Sequence, residues 1–332
     1  MNINTKKVFL SIFIVVLLLN LPSFVAEKSL IKNNSRVSLD NTPSNADISL
    51  DDHDTGSKMI LSEDIVISNC LVNGTILIES DAYVVFENVT FLLRHFPTIK
   101  NNRFLFESFM EIHDSAKVII RNSFFNVVDY DANMTLYDNA QLIIENTNSS
   151  SSEKFYLFLF NSSNLTIRQS DMYSLIYLRD FSSAYIEDLT GSVEIAAVDN
   201  SQIGLTGFIN LPFGSIYLCN YTTLRSTNAN VTGYSFSVMA YGMTQIFVNN
   251  SSINDMSASL QDSIYIYNST ISYLRSSGLS SVYIKNSDIF SYQSEGNAVF
   301  SIENSSIDSI FLDWDYRPHE NFDRSPVGEI VN

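Results

Sequence analysis

Side chains capable of acid–base or metal chemistry are present but scattered. Carboxylates crowd in two places: Asp129 and Asp131 follow an apolar run, and Asp313, Asp315, Glu320 and Asp323 lie near the C-terminus. Such a group can serve as acid and base in glycoside cleavage, hold Ca²⁺ through oxygen, or form a solvated acidic loop. His53, His95, His113 and His319 show no metal-ligand spacing, and no glycine-rich phosphate loop or nucleophile elbow occurs. No catalytic residue, metal ligand or cofactor is assigned from these residues.

The elements that would have to position any site are unusually legible. An apolar residue, any residue, an apolar residue, any residue and then usually Asn recurs along the chain. Examples are Ile264-x-Ile266-x-Asn268, Val282-x-Ile284-x-Asn286 and Phe300-x-Ile302-x-Asn304. The anchors are Asn69, Asn88, Asn122, Asn146, Gln169, Asp188, Asn200, Asn220, Asn250, Asn268, Asn286 and Asn304; the last four stand 18 residues apart. A fixed period near twenty with period-two alternation marks a stacked β-solenoid. Positions four and two before each anchor are apolar in every copy, so they share a face and fill the interior. A second strand precedes several copies, as in Met110-x-Ile112 leading through Asp114 and Ala116 to Val118. Each rung therefore reads as strand, polar corner, strand, Asn corner. Asn suits such corners because it tolerates unusual dihedrals and its amide can bond its neighbours in a ladder.

The pattern predicts an all-β, single-stranded parallel β-helix over residues 59–312, with about 11–13 rungs. Two breaks interrupt it, between Asn88 and Asn122 and between Asn220 and Asn250; each projects a loop or hides a degenerate rung. Residues 27–58 read as an irregular leader and 313–332 as a tail, with Phe311, Leu312 and Trp314 as candidates to cap the last rung. Rungs about 4.8 Å apart would hold Cys70 and Cys219 about 30 Å from each other, too far for a disulfide.

Variable coil length and Asn-rich corners resemble the right-handed parallel β-helix proteins of the pectin-lyase-like group, over roughly residues 60–312. That resemblance implies a right-handed coil, and the strict six-residue pattern of left-handed helices is absent. It also implies enzymes acting on acidic polysaccharides. Their Ca²⁺-binding acids with a basic residue, and their Asn-Thr-Asp and paired Asp-Asp, are absent from the repeats; the adjacent pair Asp51-Asp52 lies in the leader.

Net charge is −17, from 19 Lys and Arg against 36 Asp and Glu. Nucleic acid is excluded as a partner because phosphate binding needs a basic patch, and anionic lipid is disfavoured. Lys6 and Lys7 precede an apolar run from Val8 to Leu19, with Ala26 beyond. Residues 1–26 read as a signal peptide, or as an N-terminal membrane anchor if uncleaved. Either reading places the body outside the cytoplasm or at the cell surface. Thirteen Asn-x-Ser/Thr sequons follow from the sequence. Many arise because the corner wants Asn then Ser, so Asn133 and Asn148, outside the ladder, are the better acceptors.

Just before the anchors runs Glu87, Arg121, Glu145, Arg168, Glu187, an alternation that favours correct register. Three before the anchors the outward column reads Val66, Val85, Ile119, Ile143, Thr166, Tyr185, Ala197, Tyr217, Phe247, Tyr265 and Tyr283. An exposed apolar stripe with polar rims marks contact. The sequence therefore points to a non-catalytic secreted or surface module binding glycan or protein through Tyr185, Tyr217, Phe247, Tyr265 and Tyr283. A carbohydrate-active enzyme with an unrecognised carboxylate site is the alternative, and the oligomeric state is open.

Overall fold

The computed structural model describes residues 48–49, 58–93, 97–100, 103–106, 108–128, 132–150, 154–233, 236–313 and 327–331. Every regular element among them is a strand. Parallel strands stack as a β-solenoid of about 12 coils. The aliphatic files form as the alternation requires: Ile266 pairs in register with Ile284, and Ile284 with Ile302. All three are buried.

Each coil has three walls where the sequence suggested two. Wall A ends at the Asn anchors and includes Gln245–Asn249, Ser263–Tyr267, Ser281–Lys285 and Val299–Glu303. Wall B is short and follows the anchor directly, as in Thr90–Leu93 and Phe124–Val127. Its inward residues include Val72, Phe91, Phe125, Ile253, Ile271 and Ile289, all buried. Wall C carries the strand preceding the other corner, as in Met110–Ile112 and Ser215–Cys219.

Two corners turn through a single left-handed residue. At the wall A corner these are Asn69, Asn88, Asn122, Asn146, Gln169, Asp188, Gly207, Asn228, Asn250, Asn268, Asn286 and Asn304. At the wall C corner they are Ser80, Asp114, Asp138, Asn161, Asp180, Asp199, Asn220, Gly242, Leu260, Gly278 and Gly296. Positive φ costs an L-residue about 1–2 kcal/mol and is best tolerated by Asn, Asp and Gly. Stacking offsets the cost. Asn anchors donate their N–H to the coil beyond, as Asn268 N to Lys285 O at 3.1 Å and Asn286 N to Glu303 O at 3.0 Å. The amides also form the expected ladder: Asn146 Nδ2 donates to Asn122 Oδ1 at 2.6 Å, and Asn250 Nδ2 to Asn228 Oδ1 at 2.7 Å.

Behind that ladder runs a second one of buried hydroxyls. Ser269 Oγ donates to Tyr267 O at 2.6 Å and accepts from Ser251 N at 3.1 Å. Ser287 repeats the arrangement with Lys285 O at 2.8 Å and Ser269 N at 3.1 Å. The hydroxyl accepts from an N–H that has no backbone partner and adds a second bond to a carbonyl that the anchor N–H already reaches, as at Tyr267 O and Lys285 O, which explains the recurrent Asn-Ser pair.

Two anchors must be reassigned. Asn220 is a left-handed residue of the wall C corner, and Asn200 lies one past Asp199 of that corner. The wall A anchors of those coils are Gly207 and Asn228. In the Asn228 coil the second inward position is Ser226, a buried polar residue whose Oγ donates to Ser251 Oγ at 3.2 Å, so the apolar signature fails there. The break before Asn250 therefore hides a coil. The break after Asn88 projects an antiparallel hairpin, Pro97–Lys100 with Arg103–Phe106. The stretch read as leader contributes Ile48–Ser49, paired with Leu71–Asn73. The stretch read as tail contributes Val327–Val331, paired with Val299–Glu303. No disulfide joins Cys70 and Cys219.

Candidate functional site

The outward column of wall A is the stripe's true location, and the corrected register changes its membership. It runs Thr166, Tyr185, Gly204, Arg225, Phe247, Tyr265, Tyr283 and Ser301. Phe247, Tyr265 and Tyr283 come together as a stack: centroids are 5.0 Å and 5.1 Å apart, with planes 8° and 7° from parallel. In-register parallel strands enforce this geometry, because identical positions repeat at the strand spacing. The Arg225 guanidinium covers the free face of Phe247 at 4.5 Å, a cation–π contact. Tyr185 shares the wall but not the stack; its ring lies across Gly204, where an added Cβ would be 3.0 Å from Cδ2. Tyr217 does not belong to the stripe at all. It sits on wall C between Ala196 and Met239, because its strand was assigned to the wrong corner.

The stack has polar rims. Gln245, Ser263 and Ser281 flank one side, and Asn249, Tyr267 and Lys285 the other. Lys285 Nζ pairs with Glu303 at 2.7 Å. Both faces of Phe247 and Tyr265 and one face of Tyr283 are occupied by neighbouring rings or by Arg225, so the surface offers mainly ring edges and phenol hydroxyls, with the second face of Tyr283 turned towards Ser301.

A second apolar feature, which the sequence reading passed over, lies at the wall C corner of the same coils. A groove of about 390 Å³ is lined by Tyr221, Met243, Leu260 and Leu279, with Gly242 and Gly278 on either side of Leu260 in the ladder. Leu260 is left-handed (φ 64°) and 58% exposed, where earlier coils place Ser, Asp, Asn or Gly. A bulky aliphatic residue holding that conformation in solvent is an outlier of the kind that gathers at functional positions. The signal was available in the 18-residue spacing of Gly242, Leu260, Gly278 and Gly296. It was obscured because corners are expected to be polar.

Other candidates resolve differently. The charge column forms ion pairs, with Arg121 to Glu87 at 2.8 Å and Arg168 to Glu145 and Glu187 at 3.3 Å and 3.2 Å; it borders a polar hollow of about 560 Å³. Exposed pairs of this kind are worth under about 1 kcal/mol each, which suits register control. A further aromatic row on wall C, His113, Tyr137 and Phe160, is half-buried, and burial pushes the Tyr137 phenol up to about 12. Asp129, Asp131, Asp315, Glu320, Asp323, Trp314, His53, His95 and His319 lie outside the described residues, as does the segment read as signal or anchor. Among the described residues no group of three or more His, Cys, Asp or Glu could hold a metal ion. Asn133 is buried on its strand, at 7% exposed, so it is not the accessible acceptor expected of it; Asn148 is exposed.

The fold places the chain among parallel β-solenoids. Compared with protein-family models, curated proteins and solved structures, it matches none.

Proposed function

We propose that this chain is a non-catalytic binding scaffold, secreted or held at the cell surface, that contacts a protein or glycan through the Phe247–Tyr265–Tyr283 stack. The observation that carries this reading is the stack itself. Three aromatic rings repeat outward on a flat, rigid wall, rimmed by hydroxyls and amides, where a stripe without function would be polar. The groove at Leu260 lies on the same coils, just beyond the Gln245–Ser263–Ser281 strip. Ring edges and phenol hydroxyls suit a protein surface better than sugar rings, which stack on open aromatic faces. Secretion and glycosylation at exposed sequons such as Asn148 belong to the same proposal. The likeness to pectin-lyase-like proteins enters at the level of the fold, without their chemistry.

The test is the double variant Tyr265→Ser/Tyr283→Ser, assayed on a glycan array and on cells of the source organism. Both side chains point outward, so the substitution costs the stacking contribution, about 1 kcal/mol per pair, and leaves the coils folded. Binding should fall to background. If cell binding survives protease treatment of the cells but not periodate, the ligand is glycan; the reverse marks a protein. Undiminished binding by the folded double variant would remove the stack from consideration.

A further inference from the structure

The two ends of the solenoid core differ. Three inward files can be followed from end to end by register. One begins at Met59 and finishes at Ile310; the second runs from Leu61 to Leu312; the third runs from Ile67 to Ile330. At the N-terminal end the files are closed: Met59 is 1%, Leu61 4% and Ile67 4% exposed. At the C-terminal end the same files stand open, with Ile310 at 39%, Leu312 at 46% and Ile330 at 58%. Phe300 and Tyr292, in edge-to-face contact at 5.6 Å, close the layer beneath but not these residues. The outer edges of Ser306–Asp313 and Val327–Val331 also have no strand partner among the described residues. An uncovered apolar layer bounded by free strand edges is what a solenoid terminus must hide.

We infer that this end is an interface with a second copy of the chain, joined tail to tail about a twofold axis. A cover for it must offer an apolar layer of the same outline and free edges on the same three walls. The C-terminal end of another copy offers both. The N-terminal end does not, since its files are already closed, so the association stops at two and builds no filament. The twofold passes through wall A, pairing Val327–Val331 with its own copy in antiparallel fashion. Ile330 is then buried against its counterpart, and Ile310 and Leu312 of wall C against the copy's wall B at Ile307.

Size and charge set the strength. The described end strands hold 8 and 5 residues, 13 in all, against the 20–30 per side of a standard interface. They carry Asp308, Asp313 and Glu329 and no Lys or Arg. The dimer therefore brings like charges together, with Glu329 near its own copy across the axis. Association should be reversible, in roughly the micromolar range or weaker, and should tighten as salt screens the acids.

Sedimentation equilibrium of the purified full chain, with X-ray scattering at high concentration, tests this. The expected result is a monomer–dimer equilibrium whose dimer is about twice the monomer's length and which strengthens with added NaCl. Ile330→Asp should weaken it at least about tenfold, as loss of a central apolar anchor does, while Glu329→Gln strengthens it. A chain that stays monomeric at all concentrations, whether because its own segments or another protein cover the end, overturns the inference. So does a side-by-side dimer, or association indifferent to Ile330→Asp in a variant with unchanged circular dichroism.

Discussion

Substituting one isoleucine at three heights of a single file measures how far each coil depends on its neighbours. Ile266, Ile302 and Ile330 occupy the same inward position of wall A, at 0%, 1% and 58% exposure. Ile→Ala removes three carbons, about 2.4 kcal/mol of transfer free energy. At Ile266 a cavity term adds to this, because Val248 and Ile284 are held by the hydrogen bonds of their own strands and cannot collapse inward. The total should be about 3–4 kcal/mol, within the usual range for buried isoleucine. Ile302→Ala should cost nearly as much. At Ile330 only the buried two-fifths of the transfer term applies, and solvent fills the space, so the cost should be about 1 kcal/mol. Urea titration reads the first two. Hydrogen exchange of Val327–Val331 reads the third, since a solenoid end can open without the whole. Equal losses at Ile266 and Ile330 in the dilute monomer would refute the open end, and a loss under about 1 kcal/mol at Ile266 would refute the packed file.

Ser269→Ala deletes the hydroxyl that bridges two coils and leaves Ser251 N without a partner in a buried site, while Tyr267 O keeps the Asn250 N–H at 3.0 Å. At about 1–3 kcal/mol for one stranded group, a loss of about 2 kcal/mol is expected in urea titration; a neutral outcome would mean that water replaces the hydroxyl. Asp262 is 1% exposed, and burial raises its carboxyl above the usual range despite hydrogen bonds from Thr244 N, Thr244 Oγ1 and Ser259 N. A raised acid binds its proton more tightly when folded. Its contribution is therefore complete below the unfolded value, near 4, and is lost as pH rises through the folded one. Asp262→Ser, which can keep the Ser259 contact as Ser182 keeps that of Arg179 at 3.0 Å, should gain on the wild type as pH rises from about 3 to 7. A stability difference that does not change with pH would contradict this.

Fold and site were legible to different depths, for physical reasons. Period-two apolar alternation reports which residues face inward, and it located wall A wherever two apolar inward positions led to an Asn, Asp or Gln at the turn. It failed in the coil of Ser226, where a buried hydroxyl takes the aliphatic place, and in the coil of Gly207, where glycine serves the left-handed turn in place of Asn. The first failure put Tyr217 in the wrong column and the second put Ala197 there, both of them wall C residues. Asn and Asp satisfy either corner equally well, so residue type alone could not separate Asn220 of one corner from Asn228 of the other. Phe247, Tyr265 and Tyr283 were found because their three coils repeat without insertion. Their mutual stacking, which decides what they can bind, depends on side-chain rotation that no spacing encodes. The groove at Leu260 was missed because it breaks the corner rule.

The coils from Asn250 to Asn304 are interchangeable in register: each meets its neighbours through the same anchor, the same hydroxyl and the same files. Inserting one more block of eighteen residues there would disturb no turn and strand no hydrogen bond. It would lengthen the wall by one strand spacing, about 4.8 Å. The reach of this molecule is thus an inheritable length, adjustable in whole steps by duplicating a short stretch of gene, while everything on either side keeps its shape.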